Sequence, residues 1–187
     1  MRYKKLYPDN WEEIQSELQS WAKINPPPLP VKGWYTFSQW QTSNFSLDEI
    51  PLTLKWLEET FEKLPDYVMR ICISPHLHFA PHKDEGLAPA LNIPISGCKE
   101  SVTEFYQFEF EDVQRFDLTP EENPEEILAG YSLNPSCHNA EVVDQYILDT
   151  PVVFDQTLWH GVRNGEHVRD CLSFRWHPPQ VPRVLWD

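Results

Sequence analysis

Val168-Arg169-Asp170-Cys171-Leu172-Ser173-Phe174-Arg175-Trp176 alternates as a β-strand does. Successive side chains on an extended backbone leave opposite faces, so Arg169, Cys171, Ser173 and Arg175 share one side, and that side carries two cations. Working back from this run, Tyr67 to Ser74, Ala90 to Ile95, Val102 to Phe110, Val142 to Leu148 and Val152 to Phe154 are also short, β-branched and aromatic, with turn residues between them. The region before Pro65 is different. Trp11, Ile14, Leu18, Trp21 and Ala22 recur at helical spacing between Asn10 and Ile24, until Pro26, Pro27 and Pro28 stop the helix. Trp34 to Trp40 is aromatic and alternating and predicts a strand. Ser46 and Glu49 form a capping-box signature for a second helix running to Leu64 through Ile50, Leu54, Leu57 and Phe61, with Pro51 in its first turn. Helices followed by many short strands predict a mainly β, α+β chain: a jelly-roll or double-stranded β-helix of the cupin-like kind.

The chain has 187 residues, 41% of them hydrophobic, which is enough for one packed core and short for two. We therefore expect one domain over residues 1–187, with 1–66 as helical support and 67–177 as the barrel core. Fifteen Lys and Arg against 29 Asp and Glu give a formal net charge of -14. Such a surface repels phosphate backbones and argues against a nucleic-acid partner. No apolar run resembles a signal peptide or membrane span, so the sequence predicts a soluble, cytoplasmic protein. Cys72, Cys98, Cys137 and Cys171 form no CxxC pair and are read as reduced, mostly buried thiols. With 6 Gly, the chain has no Gly-rich phosphate loop. Asp117 to Glu126, acidic and interrupted by Pro120 and Pro124, reads as a solvated loop or insertion.

The segment Pro81-His82-Lys83-Asp84-Glu85-Gly86 follows an apolar stretch, where a strand would run into a loop. Residues two apart project together, so His82 and Asp84 form a two-ligand pincer while Lys83 points away. HxD alone also describes a hydrogen-bonded surface pair. A second segment adds to it: Pro151 to Asp155 reads as a buried strand, and His160 follows just beyond, beside Gly161. Two His and one carboxylate occupy one face of an octahedral metal and leave adjacent positions open, the arrangement iron(II) uses for oxygen chemistry. His76 and His78 share a face with His82 by the same period and offer a rival set, though one without a carboxylate.

HxD, a distant His and a basic residue one strand later together resemble the 2-oxoglutarate and iron(II)-dependent oxygenase superfamily, over Arg70 to Trp176. The resemblance implies Fe(II) held by His82, Asp84 and His160, with 2-oxoglutarate and O2 as co-substrates and Arg169 on the distal carboxylate of 2-oxoglutarate. Arg169, Leu172, Phe174 and Arg175 look like the RxxLxFR strand of the nucleic-acid demethylase branch, which makes Arg175 a second candidate contact for that carboxylate. Salt bridges to local acids such as Asp170 and Glu166 are the alternative for both arginines. Several branches place a Tyr before HxD to bind co-substrate; here that stretch is Arg70-Ile71-Cys72-Ile73-Ser74, so a further contact is sought in Asn92, Thr103 and Tyr106. Leu91 to Ile95 followed by Thr103 to Tyr106 also resembles small superfamily members from microbes and their viruses.

The implied activity is hydroxylation of an amino acid, peptide or protein side chain, coupled to oxidative decarboxylation of 2-oxoglutarate. Trp159, Trp176 and Phe79 are candidates to shield the site, Trp176 being read as core. The alternatives are a non-catalytic cupin-like barrel that binds a small acid or partner, and a zinc site on the same three ligands that activates water.

Overall fold

The computed structural model describes residues 1–26, 35–41, 46–84, 89–107, 113–117, 129–133 and 140–176, with the backbone alone for 35–41, 79–80, 113–117 and 129–133. In chain order the elements are β1 (Tyr3–Lys5), α1 (Trp11–Ile24), β2 (Tyr35–Gln41), α2 (Pro51–Thr60), β3 (Tyr67–Ile73), β4 (His78–Asp84), β5 (Ala90–Ser96), β6 (Val102–Gln107), β7 (Val113–Asp117), β8 (Ala129–Leu133), β9 (Glu141–Ile147), β10 (Val152–Phe154), β11 (His160–Arg163) and β12 (Arg169–Arg175). The predicted strand ends at Trp34 and at 108–110, residues 118–126 of the acidic interval, and Cys137 lie outside the described residues. Asp117 itself closes β7 rather than opening a loop.

The strands form two antiparallel sheets, ordered β1-β10-β5-β12-β3-β2 and β7-β8-β4-β11-β6-β9. Leaving aside β1, β2 and the β7–β8 hairpin, β3, β5, β10 and β12 lie in one sheet and β4, β6, β9 and β11 in the other, and the chain changes sheet at every step except from β6 to its paired neighbour β9. The first of these eight pairs with the last (β3 with β12) and the second with the seventh (β4 with β11). That inward-folding order is a jelly roll, or double-stranded β-helix.

In the sheet that carries β12, side chains face either the barrel or the helices, and β12 shows the division most sharply. Leu172, Phe174 and Trp176 join Leu91, Ile93, Ile95 and Val153 in a core covered by Ile14, Leu18 and Trp21 of α1 and by Leu57 of α2. Cys171 faces the other way, among Ala90, Phe105, Tyr146, Val152 and Phe154 inside the barrel. Asp170 also leaves on the helix side, where it meets Arg70 through Nε (2.9 Å) and Nη2 (2.6 Å). The Arg70 guanidinium lies over the Trp21 ring at 5.2 Å, and Nη1 donates to the Asn25 carbonyl at the end of α1.

The expected capping box does not form. Ser46 instead contacts Asp48, Leu47–Glu49 makes a single 3-10 turn, and Glu49 accepts a hydrogen bond from Trp21 Nε1. The start of α2 is capped from the neighbouring helix: the Glu17 carboxylate accepts from Leu52 N (2.7 Å), Thr53 N (2.9 Å) and Thr53 Oγ1 (2.8 Å). A helix start left without such a partner loses about 1–2 kcal/mol. Glu17→Ala is accordingly expected to lower the urea-unfolding free energy by about that amount; an unchanged midpoint would show the cap to be idle. At its other end α2 stops at Thr60, short of Leu64, because Phe61 turns extended (φ -120°, ψ 133°) and sets its ring between Trp56 and Trp176. Among the described residues no helix is long and apolar enough to cross a membrane.

Candidate metal centre

β4 and β11 are paired neighbours in the middle of one sheet, and His82 lies directly opposite His160. The register between them slips by one residue: His160 pairs with His82, yet Val162 pairs with Phe79, so β4 carries an extra residue around Pro81. Proline cannot donate to a ladder and is tolerated in a sheet interior at such a bulge. The bulge re-aims the strand, and it undoes the period-two argument that grouped His76 and His78 with His82. His78 is exposed and sits 3.3 Å from the Tyr106 hydroxyl, while His76 is exposed in a turn at φ 59°.

His82, Asp84 and His160 converge, with one ligand atom from each lying within 4.8 Å of the others. The two imidazole centroids are 4.3 Å apart, and His82 Nε2 is 3.7 Å from Asp84 Oδ1. His160 Nδ1 is 2.9 Å from the Leu158 carbonyl, which holds the proton on that nitrogen and leaves Nε2 as the donor to a metal. Asp84 Oδ2 accepts from Arg175 Nη1 at 3.2 Å, and Arg175 Nε in turn donates to Ser173 Oγ at 3.0 Å. One carboxylate oxygen is thus held by a cation and the other is directed at the histidines. The donor set, two imidazoles and one carboxylate with each supporting group engaged, fits a divalent transition metal.

The electrostatics agree with that fit. Burial by itself would raise the Asp84 pKa, but Arg175, then His160 and His82, outweigh it and hold the carboxyl below its ordinary range. Burial, reinforced by His82, pushes His160 down to about 3, so it is a neutral ligand at physiological pH. In the metal-free protein this has a signed consequence. The folded pKa lies below the unfolded value of about 6.5, so stability is full above 6.5 and falls as pH drops towards 3. For this one group the loss at pH 5 is about 2 kcal/mol. Urea unfolding at pH 7.5 and pH 5 should therefore show a steeper decline for the wild type than for His160→Gln; equal declines would mean that His160 is readily protonated in the fold.

Farther along the barrel interior, Arg169 is 2% exposed, and among the described residues no carboxylate pairs with it. Asp170, the alternative local partner, is on the opposite face with Arg70. Arg169 Nη1 reaches across to Thr103 Oγ1 at 3.3 Å in the facing sheet, and among the described residues Nε has no partner. The Tyr146 hydroxyl and Asn92 Oδ1, two buried polar atoms close by, also lack partners among the described residues. Tyr146 lies beside Thr103 and Asn92 without meeting either in a well-formed hydrogen bond, and burial pushes its pKa up to about 12. Burying polar groups without partners is costly, and this small chamber gathers a guanidinium that no described carboxylate neutralises, a phenol and an amide. The start of β12, from which Arg169 projects, is fixed by Gly97 (φ 65°), where a Cβ would run into the Val168 carbonyl. It is fixed also by Asn164, whose Nδ2 donates to the carbonyls of Ile73, Ser74 and His167.

Of the residues singled out in the sequence, the structure gathers His82, Asp84, His160 and Arg175 in one cluster and Arg169, Asn92 and Thr103 in the other. Tyr106 joins neither: it shares the outer face of β6 with Glu104, to which its hydroxyl donates at 2.7 Å. Arg163 closes that outer network with two bonds to Glu104 Oε1, at 2.9 and 3.1 Å. Tyr146 supplies the phenol of the chamber, and in the sequence its one sign is its place on an alternating strand. Trp159 packs against Lys83, whose Nζ is 4.7 Å from the ring, and Trp176 belongs to the helix-side core. The Phe79 side chain lies outside the described residues. Cys72, Cys98 and Cys171 are buried and free, and Cys137 lies outside the described residues.

No protein-family model matches the sequence, and no curated protein matches it. Among solved structures it is similar to the coconut allergen cocosin, at 7% identity and a TM-score of 0.38, over 82% of this chain and 29% of that one. It is similar to vicilin from Corylus avellana (hazelnut), at 13% identity and a TM-score of 0.39, over 80% and 31%. It is also similar to the Bacillus subtilis oxalate decarboxylase with Mn(II) centers, at 10% identity and a TM-score of 0.40, over 85% and 30%. The jelly-roll assignment rests on the strand order of this chain. The chain spans about 30% of the length of these structures, and its site is read from its own geometry.

Proposed function

We propose that this protein is an Fe(II)- and 2-oxoglutarate-dependent oxygenase that hydroxylates an amino acid, a peptide or a protein side chain. The observation that carries the reading is a juxtaposition within one barrel interior: a two-His, one-carboxylate face, and beyond it a buried guanidinium with no carboxylate among the described residues. Iron with 2-oxoglutarate and O2 supplies the oxidising chemistry, releasing succinate and CO2 as one oxygen atom passes to the substrate.

The residues of this chain divide the remaining work. His82, Asp84 and His160 offer their ligand atoms from one side and leave the other side for co-substrate. Arg175 neutralises Asp84 and keeps its Oδ2 occupied, so that Oδ1 is the free donor. Arg169 and the Tyr146 hydroxyl present N–H and O–H donors to a distal carboxylate, which restores the missing charge partner of a buried cation. Phe154, edge-on to His160 at 5.2 Å, and Phe105 wall the interior with apolar surface and exclude water. The surplus of 14 negative charges disfavours a nucleic-acid substrate and leaves small molecules or polypeptides. We read residues 1–187 as one such domain, acting in the cytoplasm, with the helices buttressing the sheet that carries Arg169.

The test is O2-dependent formation of succinate from 2-oxoglutarate by the iron-loaded protein, with a panel of free amino acids and peptides as prime substrates. Turnover that a chelator and His82→Ala both abolish is the expected result. Folded, iron-replete protein that consumes no 2-oxoglutarate with any of the panel, yet binds zinc tightly, would favour a zinc site on the same ligands.

A further inference from the structure

The seam between the two sheets is closed by β1, three residues long. It pairs with β10 at the edge of one sheet, placing Tyr3 opposite Phe154. Its side chains reach the edge strand of the other sheet: the Tyr3 ring lies 4.8 Å from that of Tyr146 and stacks on Phe105 at 6.0 Å and 5°, and its hydroxyl donates to the Gln145 carbonyl at 3.2 Å. The strap is anchored at both ends. Asp155 N donates to the Arg2 carbonyl (2.9 Å) and Leu6 N to the Pro151 carbonyl (2.8 Å), while Lys5 pairs with Asp149 at 2.5 Å.

Tyr146 sits on β9, an edge strand whose other side chains are mostly exposed or half-buried, so its own strand gives it little lateral support. Its ring is instead enclosed by Tyr3, by Phe105 at 6.2 Å and by Phe154 at 6.4 Å. With the ring packed on these sides, the hydroxyl is left in the chamber of Arg169, Thr103 and Asn92. Phe154 belongs to the same cluster and touches His160, so one group of aromatic rings links the strap to both halves of the site.

We propose that Tyr3 is a positioning residue: from the strap it holds the Tyr146 ring so that the phenol faces Arg169 and completes the subsite for the distal carboxylate of the co-substrate. The proposal rests on the oxygenase reading above and deepens it. A positioning role of this kind acts on ligands that carry a distal carboxylate and spares those that do not.

The experiment compares 2-oxoglutarate with pyruvate, which keeps the 2-oxo acid and lacks the distal carboxylate, in anaerobic titrations of the Fe(II)-loaded full chain. Tyr3→Ala, and Tyr3→Leu as the variant that keeps apolar bulk in the seam, are expected to weaken 2-oxoglutarate binding about threefold to tenfold. Pyruvate binding should stay within about twofold in both. Tyr3→Phe, which retains the ring, should stay near wild type, and Tyr3→Leu should add nothing in a Tyr146→Phe background. Equal weakening of both acids, no weakening of either, or full additivity with Tyr146→Phe overturns the role of Tyr3. Wild-type protein that binds 2-oxoglutarate no more tightly than pyruvate removes the carboxylate chamber itself, a separate failure.

Discussion

Arg169→Met is expected to stabilise the ligand-free protein and at the same time to abolish high-affinity 2-oxoglutarate binding. The two effects have one cause. Arg169 is buried, with Nη1 3.3 Å from Thr103 Oγ1 and Nε without a partner among the described residues, so the fold bears a desolvated cation that no described carboxylate balances. Replacing buried charges with an apolar side chain of similar length is stabilising by about 1–4 kcal/mol in comparable settings, which for a domain of this size raises the unfolding midpoint by several degrees. Binding moves the other way: losing a buried bidentate partner for a carboxylate costs about 2–5 kcal/mol, a drop in affinity of at least about 30-fold. Iron binding should persist, since Arg169 touches none of the three ligands. A variant less stable than wild type by more than about 1 kcal/mol would mark Arg169 as a structural residue satisfied within the fold.

Asp84→Ala should have the opposite signature, losing both metal and stability. It removes the one carboxylate of the ligand set, and the affinity loss should exceed the roughly 100-fold that removal of an outer partner of a ligand costs. It also strands Arg175, whose side chain is 5% exposed, without its ion partner. Breaking a fully buried pair costs about 3–5 kcal/mol; Asp84 is 26% exposed and water can reach the gap, so about 2 kcal/mol is expected here. Asp84→Ala combined with Arg175→Met separates the two effects, because the second change removes the stranded cation. Stability should return toward wild type in the double variant while metal binding stays lost. If the double variant were no more stable than the single one, the Arg175–Asp84 pair would not be what the single change disrupts.

The parts of this site that follow a strict local rule are legible in the sequence. Arg169, Cys171, Ser173 and Arg175 face one way because β12 alternates without interruption, and His82 and Asp84 converge because they are two apart on extended backbone. What a sequence pattern does not carry is which neighbour a polar group finds. Asp170 adjoins Arg169 in the chain but leaves on the other face and meets Arg70, a hundred residues earlier, and Arg175 meets the Asp84 carboxylate of the candidate metal centre. The His76 and His78 grouping failed at the Pro81 bulge, where one extra residue reverses the parity of β4. Tyr106 does not face inward with Thr103 because the two are three positions apart on β6, and alternation sends them to opposite faces. The Ser46–Glu49 capping box is a local signal that does not carry the real cap, since Glu17 caps α2 across a helix–helix contact.

Anaerobic titration of the iron(II)-loaded protein with 2-oxoglutarate, followed by the visible metal-to-ligand charge-transfer band, tests the central claim most directly. The account expects the band in the wild type, its loss in Asp84→Ala, and its appearance only at much higher 2-oxoglutarate concentrations in Arg169→Met. Folded, metal-replete wild-type protein that gives no band at saturating 2-oxoglutarate would contradict the oxygenase reading at its core.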